Sequence, residues 1–382
     1  MTTITTPSNG PNEWPTLELE GKPDFEKCLQ RIYAWYEQEM IDRVPVRFIA
    51  HNAAFNVESR QQKSPEEWKQ LWFDEERRVA EFIKSIEGLT FHGETFPIFD
   101  PNLGPDVYAA FYGAELTFGE VTSWSHPIIR EWSDMDRLKL DMSNQYFTKI
   151  EALMTCALEQ CRGKFLVGYT DLHPGEDCAM AWRGSQQLCM DLYDHPDQAK
   201  QLIEIAFADF QTIYDHFDTI LKSYNQPSVC WLGVPSFGKM HVPSCDFSAM
   251  FSPDFFAEFS LPILQREVKP MTHNIYHVDG RGVANHLDYI LSVPEINGIQ
   301  WVQEMGVFQP IMQWVPLIKR VQAAGKSIIV DLQPHELEPF MDAVDPTGIF
   351  LWVGTVDEAE QLAILKHLEK WHKNQARCFG FG

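Results

Sequence analysis

Tyr276-His277-Val278-Asp279-Gly280 is the stretch on which the reading of this chain turns. It follows His273-Asn274-Ile275 and precedes a helix-like segment from Arg281 to Leu291. In an extended strand residues two apart point to the same side, so His277 and Asp279 project together. A strand that ends in polar side chains and passes into a helix is how a β/α barrel delivers chemistry to its mouth. An imidazole beside a carboxylate can hold a metal, work as an acid/base pair, or form a structural hydrogen bond at a strand end.

Outward from this strand, short β-like runs alternate with long helical ones. The strands expected are Val44–Ile49, Thr95–Phe99, Lys164–Tyr169, Ser228–Gly233, Asn274–Val278, Gly298–Val302, Ser327–Leu332 and Gly348–Val353. Helical patterns such as Pro65–Ile86, Asp141–Cys161, Pro196–Tyr224 and Pro253–Val268 lie between them. Eight such alternations predict parallel βαβ units closed into a (β/α)8 TIM barrel. Residues 1–22, rich in Pro, Thr and Asn, read as a flexible N-terminal arm, and residues 23–382 as a single barrel domain. The aromatic, Gly/Pro-punctuated stretch from Phe91 to Pro127 reads as a long loop over the barrel mouth. There Trp124 accompanies His92, Glu94, Asp100 and His126, a mixture suited to stacking on a sugar or flat ring.

Barrel active sites sit at the C-terminal ends of strands, which turns scattered polar residues into a candidate constellation. Asp171 and His173 follow one strand and Trp231 the next; Cys245 and Asp246 precede the Ser252-Pro253 helix start. Glu304 follows Trp301, and Asp331 ends the run Ile328-Ile329-Val330. Asp171, His173, Trp124, Trp231 and Trp301 are the expected substrate-binding groups. Arg183 could clamp an anion there or pair with a carboxylate.

Composition excludes some functions. With 54 acidic and 31 basic residues the chain carries a formal charge of −23, so no general electrostatic field would draw nucleic acid or anionic membranes. No apolar run approaches the roughly 20 residues of a membrane span. The N-terminus has no signal-peptide pattern, and the eight cysteines include no CxxC pair. A reduced, cytoplasmic protein is expected.

Several segments together resemble the uroporphyrinogen decarboxylase superfamily, which includes cobalamin-linked methyltransferases. Asp42-Arg43-Val44-Pro45-Val46 is similar to that family's DRxPV start of the first strand, and Phe251-Ser252-Pro253-Asp254-Phe255-Phe256 with Phe259 and Leu261-Pro262 to its SPxxFxxFxxP helix. His277-Val278-Asp279-Gly280 is similar to the HxCG segment of the zinc methyltransferases. Val330-Asp331-Leu332-Gln333-Pro334 stands where the family has a GNxxP-like turn. The resemblance spans residues 25 to 373 in motif order.

The chain also departs from the pattern. Ala50-His51-Asn52-Ala53-Ala54-Phe55 has no arginine where the decarboxylases bind substrate carboxylates, which argues against true uroporphyrinogen decarboxylation. Asp279 replaces the first cysteine of HxC, and the nearest metal-capable residue to the later ligand position is His335. A His277, Asp279, His335 set, with Cys245 as another candidate ligand, is harder and less thiophilic than the family's site. The resemblance therefore implies a metal-assisted methyl or group transferase acting on a small polar substrate. Zinc is its candidate metal, and a methylcobalamin-carrying corrinoid protein and a second copy of the chain its candidate partners. Asp246, Asp279, Glu304 and Asp331 would orient substrate or move protons. The alternatives are a metal-free, glycosidase-like hydrolase using a carboxylate pair, and a non-catalytic binding barrel.

Overall fold

The computed structural model describes residues 17–49, 63–303 and 310–378, those beyond 369 as backbone only. Among the described residues ten strands run in chain order: β1 (Val46–Ile49), β2 (Ile98–Phe99), β3 (Leu116–Phe118), β4 (Ser123–Ser125), β5 (Leu166–Val167), β6 (Met240–His241), β7 (His273–Asp279), β8 (Gly298–Val302), β9 (Ser327–Leu332) and β10 (Ile349–Gly354). Six form one curled parallel sheet in the order β1-β10-β9-β8-β7-β6, so the first strand pairs with the last. β2 and β5 form a separate parallel pair, and β3 and β4 an antiparallel hairpin.

The described residues thus make an α/β fold with a partial barrel, and the expected continuous eight-stranded barrel is corrected. The break has local causes. Pro97 has no N–H to offer a ladder, and β1 meets this segment through Glu94 N to Val46 O (2.7 Å) and Phe48 N to the Thr95 hydroxyl (2.9 Å). The expected strand Ser228–Gly233 is interrupted because Gly233 turns the chain at φ 73° and Pro235 follows. Ser228 forms a lone antiparallel bridge with Ser236 instead, and Tyr169 N reaches Val229 O at 2.9 Å. Isolated hydrogen bonds take the place of ladders on that side.

In the six-stranded sheet the side chains alternate cleanly. Tyr276, Val278, Ile299, Trp301, Val330, Leu351 and Val353 pack outward in one core with helix residues such as Leu264, Leu287, Ile318 and Phe340. Ile275, Ile329 and Phe350 face inward, in the core shared with the N-terminal half. Burying an aliphatic side chain stabilises by roughly 1.5–3 kcal/mol, so a one-residue slip in register would be heavily penalised.

The helix Phe25–Tyr36 closes the N-terminal end of the sheet. Trp35 donates its indole N–H to Gly348 O at 2.9 Å, and Tyr36 stacks on His273 with 3.9 Å between ring centroids. Behind it, Glu94 is fully buried and accepts from Arg31 (3.0 Å), from Arg43 (2.8 and 3.0 Å) and from Val46 N (2.7 Å). Leu19 and Lys22, within the expected arm, are buried against this end. Among the described residues no helix is long and apolar enough to cross a membrane.

Candidate metal and substrate site

β7 starts with the buried polar pair His273-Asn274, and after Ile275 its last two inward positions are His277 and Asp279. Gly280 follows at φ 74°, a left-handed conformation that glycine adopts without steric cost, and the chain swings into the helix Gly280–Ala284. Asp246 opens the short 3-10 turn Asp246–Met250 and reaches the same place from the preceding loop. One ligand atom from each of Asp246, His277 and Asp279 can be chosen so that all lie within 4.8 Å of one another.

The residues behind this group hold it in position. His277 Nδ1 lies 2.7 Å from Gln300 Oε1, the residue beside it in register on β8. An amide oxygen can only accept, so Nδ1 carries a proton and Nε2 is the ring nitrogen turned toward the two carboxylates. That Nε2 faces Asp246 Oδ1 at 4.0 Å, and the Trp231 ring stands edge-on to the imidazole at 5.4 Å between centroids. Asp177 accepts from the backbone N–H groups of Asp246 (3.1 Å) and Phe247 (2.9 Å), which fixes the turn carrying Asp246.

A second polar chain runs alongside. Trp231 donates to Asp171 Oδ1 at 2.9 Å, Asp171 Oδ2 meets His173 Nε2 at 2.8 Å, and His173 Nδ1 meets the Ser244 hydroxyl at 2.6 Å. Burial opposes a charge on His173, but Asp171 more than offsets it and raises the imidazole to about 10, so it is a cation at neutral pH. Burial likewise pushes against the Asp171 charge, and His173 with the Trp231 N–H outweighs it, leaving that carboxyl below its usual range. Asp246 is pushed up to about 6 by desolvation and by Asp177, with His277 and His173 pulling the other way. About half of its side chain still reaches solvent, which moderates the effect. A cavity of about 160 Å³ opens beside these groups, lined by Asp106, His173, Asp177 and Asp246 together with Pro105, Ala109, Cys178, Met180 and Ala181.

Other residues singled out in the sequence lie elsewhere. Cys245 is buried with its thiol 3.9 Å from the Ser260 hydroxyl, and burial raises it far above the ordinary thiol range, so it stays protonated. His335 is exposed on the turn Pro334–Glu336, and neither residue contributes to the three-residue group. Arg183 is buried against Asp191 at 2.7 Å and over the Trp132 ring, a structural pairing. Trp301 faces the outer core and packs on Trp314, because strand alternation puts its neighbour Gln300 inside. Trp124 is exposed on the β3–β4 hairpin. Glu304 lies outside the described residues.

Asp331 faces inward on β9, paired in register with Trp352 of β10, which pairs with Arg47 of β1. Arg47, Trp352, Gln300 and Asp177 were not anticipated as site residues. The signal for Arg47 and Gln300 was present: each is a lone polar residue at an inward position of an otherwise apolar strand.

The fold is similar to that of a methyltransferase from Methanosarcina mazei, with a TM-score of 0.54 and 12% sequence identity over 90% of this chain and 98% of that one. At that identity the likeness is one of fold. No family model and no curated protein matches the sequence.

Proposed function

We propose that this chain is a metal-assisted group-transfer enzyme of the methyltransferase-like kind, with Asp246, His277 and Asp279 holding a divalent cation. The observation that carries the reading is the convergence of these three side chains at the end of β7, with His277 held by Gln300 in the tautomer that presents Nε2. Two carboxylates and one imidazole suit zinc or another borderline cation and lack the thiolates of a thiophilic site. When bound, such a cation supplies Lewis acidity toward an oxygen- or nitrogen-bearing substrate.

The chain's own residues account for the remainder. His173, a cation pinned by Asp171 and Ser244, offers positive charge at the edge of the cavity. Asp177 keeps the Asp246 backbone in place, and the apolar wall of Ala109, Met180 and Ala181 limits the substrate to a small one. On this reading the group donor is a corrinoid protein, as the resemblance to the uroporphyrinogen decarboxylase superfamily implies.

The test is elemental analysis of protein purified without chelator. About one equivalent of zinc or a similar divalent metal is expected, lost in His277→Ala and in Asp279→Ala. Metal-free protein that takes up none on addition would overturn the reading.

A further inference from the structure

The three arginines most withdrawn from solvent each meet a carboxylate: Arg31 and Arg43 share Glu94, and Arg183 has Asp191. Arg47 differs. It projects inward from the middle of β1, donates to Leu232 O, and lies over the Trp352 ring at 4.8 Å from its centroid, with no carboxylate within ion-pair distance among the described residues. Gly233 leaves room for it, since a Cβ there would fall 2.5 Å from Arg47 Nη1.

Two strands away in the same row stands Asp331. Arg47, Trp352 and Asp331 are consecutive in register, so with strands about 4.8 Å apart the charged residues' backbones are roughly 10 Å apart. The Trp352 indole N–H and Asp331 Oδ1 are both buried, and among the described residues neither has a hydrogen-bond partner. Trp352 is only 8% exposed. Burial lowers Arg47 to about 10 and raises Asp331 to about 7, each against the pull of the other's charge. A native interior seldom leaves a donor, an acceptor and two opposite charges in one row without joining them. A ligand group with an anionic acceptor for Arg47 and Trp352 and a cationic donor for Asp331 would join them.

We infer that Arg47, Trp352 and Asp331 form an anchoring subsite for the amino-carboxylate head of a small zwitterionic substrate. The carboxylate would take N–H bonds from the guanidinium fork and the indole, and the ammonium would give one to Asp331. The strand register sets this subsite on the same inward face as His277 and Asp279. Its use in catalysis rests on the transfer reading above; its occupancy does not.

Calorimetric titration of the full chain with glycine, acetate and methylammonium, at a pH just above 8 and with and without added zinc, tests the inference. Glycine should bind saturably, and acetate and methylammonium at least about tenfold more weakly, as befits the loss of a charge-assisted hydrogen bond. Arg47→Met and Asp331→Asn should each weaken glycine by at least about tenfold, and Trp352→Phe by less, with thermal melts confirming that each variant is folded. Acetate binding as tightly as glycine, or glycine binding unchanged in folded Arg47→Met and Asp331→Asn, would overturn it, as would no glycine binding at tens of millimolar. Glycine binding by protein that takes up no metal would uphold the subsite while removing the transfer reading.

Discussion

The two ends of the strand sheet treat buried charge in opposite ways. At the N-terminal end, Glu94 has two arginines and a backbone N–H, and Arg31 is joined in turn to Asp42. Farther toward the C-terminal ends of the strands, Arg47 and Asp331 lie within electrostatic reach of each other but do not touch, and Asp331 Oδ1 and the Trp352 N–H have no partner among the described residues. A satisfied cluster locks the first strand to the segment before β2, and its role is complete in the folded chain. An unsatisfied one is costly to the fold and points to something the chain itself does not supply.

The largest effect that would sharpen this contrast is at the satisfied end. Glu94→Ala removes the carboxylate shared by two buried arginines, leaving Arg31 with Asp42 and Arg43 with a backbone carbonyl, and should destabilise the protein by about 3–5 kcal/mol in denaturant melts. A loss below about 1 kcal/mol would show that the cluster contributes little, and the comparison would break. Removing the charges at the other end should cost the fold far less.

Next in size is the support behind His277. Gln300→Leu keeps the volume but removes the acceptor that fixes the imidazole tautomer. Metal affinity, measured by competition with a chelator, should fall roughly 10- to 100-fold with the melting temperature little changed. An unchanged affinity would mean the Gln300 contact is only packing.

A further expected effect is a pH dependence. Asp331 has its folded pKa raised to about 7 by burial, above the roughly 3.9 of an unfolded aspartate. Its contribution is fully present below the unfolded value and is lost as pH rises through the folded one. Asp100, raised to about 7 by burial and by Asp171, acts in the same direction. Between pH 4 and pH 8 the wild type should therefore lose more stability than Asp331→Asn. Parallel curves for the two proteins would show that Asp331 ionises in the fold as it does in the unfolded chain.

The parts of the fold legible in the sequence were those governed by one strong rule. β8 to β10 are buried on both faces, so they appear as largely apolar runs, and their expected limits, like those of β7, fall within a residue of those observed. The other side of the barrel was misjudged because Pro97, Gly233 and Pro235 matter through which N–H groups are missing and which way the chain turns, not through apolar pattern. Within the site, period-two alternation brought His277 and Asp279 together, and a loop position brought Asp246. The same alternation, applied to Ile299-Gln300-Trp301, excludes Trp301 from the interior and selects Gln300; reading it by position at a strand end missed this. Contacts such as Asp177 to the Asp246 backbone join residues nearly 70 positions apart and have no local signature.

The central claim is that the end of β7 is a metal centre built from two carboxylates and an imidazole, without thiolate. X-ray absorption at the edge of the metal retained by the purified protein tests it most directly. The account predicts nitrogen and oxygen scatterers alone, near 2.0–2.2 Å, with an imidazole contribution that disappears in His277→Ala. A sulfur scatterer near 2.3 Å, or an imidazole signal unchanged in that variant, would contradict it.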